Sequence, residues 1–76
     1  MARSIINLIE AVVKNHKIQL TKDGWQRVAQ LEKELKSRKL KPTGAIEKLK
    51  LEENLRAKLS VADWKNIKEQ IEDIVD

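Results

Sequence analysis

Leu20-Thr21-Lys22-Asp23-Gly24-Trp25 and Leu59-Ser60-Val61-Ala62-Asp63-Trp64 introduce two apolar-periodic stretches in the same way, and reading both as helix starts decides the fold. In each, a hydroxyl residue follows a leucine and stands four positions before a tryptophan. Such a residue caps a helix by accepting a hydrogen bond from a first-turn backbone N–H that has no partner inside the helix. After Thr21, the apolar residues Trp25, Val28, Leu31 and Leu35 recur at helical spacing; after Ser60, so do Trp64, Ile67, Ile71, Ile74 and Val75. Asp63 adds the acidic half of a capping-box-like pair with Ser60. The two tryptophans lie 39 positions apart, and the offset continues through Val28 with Ile67 and Leu35 with Ile74. It lapses between them, where Leu31 and Glu32 meet Gln70 and Ile71. Both shared helix grammar and an old duplication of a helical hairpin fit this pattern, with the paired tryptophans the main support for duplication.

Upstream, Ser4 precedes Ile5, Ile6, Leu8, Ile9, Val12 and Val13, again at helical spacing. At ~100° per residue these side chains with Ala11 cover about 220° of the helix, wider than an ordinary surface stripe. That breadth implies a helix surrounded by the others or covered in part by a second molecule. Downstream of helix two, Lys36, Arg38, Lys39 and Lys41 surround Ser37 and Leu40, and Pro42 forbids continuation. Thr43 is the expected cap of helix three. That third helix is irregular: Ala45, Ile46 and Leu49 share one face, whereas Leu51, Leu55 and Leu59 share another, displaced by more than a quarter turn. It either bends near Lys50 or wedges between two partners. The expectation is therefore an all-α, compact antiparallel bundle of four helices, five if the third is broken. It forms one domain over residues 1–76, with helices at about 5–15, 22–38, 44–58 and 61–75.

Hydrophobic residues make up 41% of the 76 and charged residues 37%, a balance that supplies a core and argues against disorder. Phe and Tyr are absent, so the core is aliphatic apart from Trp25 and Trp64. With no cysteine, disulfides and thiolate metal sites are excluded and a reducing, cytoplasmic setting is expected. The apolar run from Ile5 to Val13 is too short to cross a bilayer. One histidine and no cysteine or tyrosine leave few candidates for a nucleophile and its base, and neither a glycine-rich phosphate loop nor a paired-histidine motif is present. No enzyme activity, cofactor, metal or small-molecule substrate is expected. His16 reads as an exposed residue at a helix C-terminus, where the dipole favours positive charge.

Three features remain for function. The net charge of +4 is concentrated over residues 36–50, where Lys36, Arg38, Lys39, Lys41, Lys48 and Lys50 face a single carboxylate, Glu47. The acidic C-terminus, with Glu69, Glu72, Asp73 and Asp76, opposes it. Second, Glu32 interrupts the apolar stripe of helix two, either as an anchor for a partner's cation or as a local partner of Lys36. Third, Trp25 and Trp64 lie toward the edges of their stripes, as core packing or as interface anchors. Lys22, Gln26 and Arg27 sit where a helix-turn-helix protein would read bases, although Asp23 opposes phosphate there. In helix number and length the chain resembles compact helical adaptor modules, including death-fold-like domains, which usually have six helices. The favoured expectation is a non-enzymatic protein-interaction, adaptor or regulatory module, self-association included. The alternative is a small basic nucleic-acid-binding protein gripping phosphates through residues 36–50.

Overall fold

The computed structural model describes residues 4–75, of which 78% lie in five helices, with no strand among them. They are α1 (Ile5–His16), α2 (Lys22–Lys36), α3 (Pro42–Leu49), α4 (Glu53–Lys58) and α5 (Val61–Val75). The all-α bundle expected from sequence is the one observed, in its five-helix form. α1 and α3 each pack against both α2 and α5. These four helices thus form a closed ring, and the short α4 adds Leu55 to the core. The Cα radius of gyration, 11.3 Å, matches the ~11.4 Å expected for a chain of this length. Among the described residues no helix is long and apolar enough to cross a membrane.

Local chemistry explains each boundary. Ser4 Oγ accepts from the Asn7 N–H at 3.0 Å and Thr21 Oγ1 from the Gly24 N–H at 3.1 Å, as the two cap readings require. At α5 the capping box is complete: the Ser60 N–H donates to Asp63 at 2.9 Å and the Asp63 N–H donates to Ser60 Oγ at 3.2 Å. α1 and α2 both end in a Schellman motif whose left-handed position holds a cation instead of glycine. Lys17 has φ 55° and Arg38 φ 63°. The flanking bonds run from Ile18 N to Val13 O and from Lys39 N to Glu34 O, at 2.8 and 2.9 Å. This turn stops α2 at Lys36, two residues short of the expected end.

The start of α3 corrects another expectation. Thr43 does not cap it; the N-cap is Lys41, with no side-chain bond, and Pro42 occupies the first helical position. Proline is suited to that place because its fixed φ is helical and its missing N–H would have had no partner.

Of the two alternatives for the third helix the structure has the break, at Lys50–Glu52. A straight helix would carry the Ala45–Ile46–Leu49 face and the Leu55–Leu59 face in different directions. The turn lets Leu49 and Leu55 enter the same core, each 1% exposed. Leu51 is the exception to the face drawn for it. It sits in the turn itself and stays 78% exposed. Among the described residues all fifteen buried hydrophobic side chains belong to one cluster, with α1 contributing Ile5, Leu8 and Ile9. The rest of α1's wide arc is only half covered at Ile6, Val12 and Val13, and Ala11 is exposed.

Candidate functional site

A groove of about 470 Å3 runs between one face of α2 and the α3–α4 turn. Its floor is core: Val28, Leu31 and Leu49 show at most 4% of their surface. Along its sides stand Arg27, Gln30 and Glu34 from α2 and Lys48 and Glu52 from across the turn, with Leu51 standing free at its edge. The charges on these walls are matched. Arg27 donates to Glu52, and Lys48 Nζ lies 3.2 Å from Glu34 Oε1. The hydrogen bond and charge of Glu52 hold the Arg27 guanidinium above its already high ordinary pKa. Glu52 is also the N-cap residue of α4, yet makes no capping bond there because its carboxylate is turned to Arg27. Asn54 then donates to the Gln19 carbonyl at 2.8 Å, fastening α4 to the α1–α2 connection. The turn bearing Leu51 is therefore held on both sides, and the leucine is presented rather than loose.

The cations of the basic segment have different neighbours. Lys36 Nζ is 3.7 Å from Glu32, Lys48 belongs to the groove above, and Lys50 Nζ lies 5.9 Å from the centre of the Trp64 ring. Of the six cations, Arg38, Lys39, Lys41 and Lys50 have no carboxylate within ion-pair distance among the described residues, and of these four Lys50 alone lies near an aromatic ring. Arg38 and Lys41 line a second groove, about 400 Å3, with Lys36, Leu35, Leu40 and Pro42. Glu72 and Val75 of α5 close its other side. The acidic end of α5 thus stands beside the basic turn; Asp76 lies outside the described residues.

Glu32 is used inside the fold. Its Oε2 accepts from the Ile6 N–H at 3.2 Å while Oε1 faces Lys36. α1 has no acidic residue in its own first turn, so α2 supplies the negative charge that the positive end of α1 favours. The two tryptophans part company: Trp64 is buried, at 9% exposure, and Trp25 is half-buried against the core. Lys22 and Gln26 are exposed, and Arg27, which sequence grouped with them, is engaged by Glu52. His16 Nε2 lies 3.7 Å from Asp63 Oδ1, joining the end of α1 to the start of α5. Among the described residues no group of three or more His, Cys, Asp or Glu is placed to hold a metal.

Leu51 and Glu52 were not singled out from sequence as site residues. The available signal was the phase slip between Leu49 and Leu55: a helix that changes face must turn, and the apolar residue at the turn is the one left outside. Comparison with family models, with curated proteins and with solved structures finds no match for the chain.

Proposed function

We propose that the chain is a non-enzymatic protein-interaction module whose docking surface is the groove between α2 and the α3–α4 turn. Exposed Leu51 beside a buried apolar floor carries the reading. The groove-facing residues of α2 run from Arg27 to Glu34, about two helical turns. That length fits an occupant presenting apolar anchors at i, i+3 or i+4, and i+7. The walls carry both signs of charge already paired with each other, which suits an apolar ridge flanked by mixed charge better than a polyanion. The footprint is small, so the expected complex is of the weak, transient class. Action in the cytoplasm belongs to the same proposal and rests on the cysteine-free sequence.

Photo-crosslinking in the protein's own cells tests it. A photoreactive residue in place of exposed Gln30 should give a discrete protein adduct, and one in place of Glu10, exposed on α1, should not. Equal or absent labelling at the two positions removes the groove as the docking surface.

A second reading has its own observation, the unpaired trio Arg38, Lys39 and Lys41. As a phosphate-binding turn it would make the chain a small nucleic-acid-binding protein, with Lys22 and Gln26 as further contacts. Glu72 beside the turn weakens the attraction. A gel-shift titration at two salt concentrations decides: no shift even at low salt discards this reading, and steep weakening with salt supports it.

A further inference from the structure

We infer that the groove between the α2–α3 turn and the end of α5 is a second docking surface, for a segment of another protein that carries an apolar side chain among carboxylates. It shares no lining residue with the groove beside Leu51, so either surface stands without the other. Charge distinguishes the two. The walls of the first groove are neutralised within the chain. Around the second, Lys36 lies 3.7 Å from Glu32, and Arg38 and Lys41 have no carboxylate within ion-pair distance among the described residues. Three cations thus face a single carboxylate, Glu72, which makes no ion pair with them.

The backbone fixes the shape. Arg38 itself occupies the left-handed position that ends α2, at φ 63°, and the Lys39 and Leu40 N–H groups both donate to the Glu34 carbonyl, at 2.9 and 3.3 Å. The cations therefore stand on a held turn. Leu40 then folds over the first turn of α3, where a methyl group at Gly44 would sit 2.8 Å from Leu40 Cδ1. The missing side chain of Gly44 makes room for the leucine. Leu40, Pro42 and Val75, each half-buried, so form an apolar lining over buried Leu35. This mixture selects the partner. The lining fits an apolar anchor, and the surplus of positive charge fits carboxylates beside that anchor and steers their approach. A nucleic-acid backbone would use the charge and leave the lining uncovered, and the groove offers no aromatic ring on which a base could stack.

Fluorescence anisotropy of a labelled short peptide, one leucine flanked on each side by glutamates, tests the inference. Titration with the protein at low salt should give a dissociation constant of about 10 µM to 1 mM, weakening as salt is added. Arg38→Glu and Lys41→Glu should each weaken binding roughly tenfold. Lys58→Glu, the same change at an exposed position outside the groove, should weaken it no more than about twofold. Glu72→Gln should tighten it about two- to threefold by removing a charge of the peptide's own sign. Gly44→Ala displaces Leu40 without altering charge, so binding should fall severalfold while the thermal midpoint does not, alanine being the better helix former. Lys41→Glu and Glu72→Gln keep the charge test decisive if the left-handed position rejects glutamate. No binding by the unmodified protein, equal binding of a peptide with serine in place of leucine, or a Lys58→Glu effect as large as that of Lys41→Glu overturns the inference. So does unchanged binding by Gly44→Ala, and so does a duplex oligonucleotide that displaces the peptide at lower concentration than the unlabelled peptide itself, which would assign the turn to nucleic acid.

Discussion

The α1–α2 and α3–α5 portions of this chain begin their second long helix with the same grammar and finish with different interiors. In α5 the tryptophan is buried, with the Lys50 ammonium near its ring, and the position two turns on holds Ile71, fully buried. In α2 the tryptophan is half-buried and the matching position holds Glu32, which reaches the first turn of α1. The spacing that makes a helix is common to both. What differs is the element delivered to each face. α2 meets a helix end, which offers unpaired N–H groups, and α5 meets side chains of the core, which offer none. An identical stripe position is therefore ionic in one half and aliphatic in the other, and neither is a flaw.

The largest expected effect separates the tryptophans. Trp64→Ala should cost about 3–5 kcal/mol, the range for emptying a well-packed aromatic site, most of what a domain this small has. Trp25→Ala should cost under half as much, because its ring already shares its surface with solvent. Urea unfolding followed by far-UV circular dichroism measures both. Equal losses would mean that the two halves are energetic equivalents and that the difference in burial is without consequence.

The starts of α1, α2 and α5 and the central turn were legible because each has a short-range cause: a capping hydroxyl or a slip in apolar phase. Distances between elements were not. Nothing local to Glu32 says that the N-terminus of α1 lies opposite, and nothing local to Lys48 or Lys50 says that one faces Glu34 and the other a tryptophan ring. For the same reason the sequence does not say which cations of the basic segment have partners inside the fold. The ends of α1 and α2 were obscure for a different reason: lysine and arginine occupy the left-handed positions that glycine would have announced.

Exchanging the cognate residues tests how firmly the third element dictates chemistry. Glu32→Ile, which copies α5 into α2, should destabilise by about 1–2 kcal/mol, since the Ile6 N–H loses its acceptor and α1 the charge at its positive end. Glu32→Gln keeps an acceptor in place and should cost about half of that. If isoleucine is tolerated as well as glutamine, water satisfies the end of α1 and the contact between the two helices carries little.

The smallest difference lies in the caps, and pH exposes it. Thr21 caps α2 with a neutral hydroxyl alone, whereas Ser60 and Asp63 bond reciprocally at α5. Bonds from the Ser60 N–H and hydroxyl hold the Asp63 carboxyl below the usual carboxylate range, with a lesser contribution from His16. A carboxylate with a lower pKa folded than unfolded stabilises the fold above its unfolded pKa, near 3.9, and loses that contribution as pH falls through the folded value. Asp63→Asn should therefore lower the thermal midpoint at pH 7, and the gap to the unmodified protein should close as the pH drops toward about 2. Thr21→Ala, costing about 1 kcal/mol, should show the same gap at both ends of that range because no proton is linked to its bond. A gap for Asp63→Asn that persisted at low pH would place its stabilisation in packing or in the neutral hydrogen bonds. The two halves would then be capped by the same physics, and the acidic residue in the second opening would add length to the motif without adding charge to the helix end.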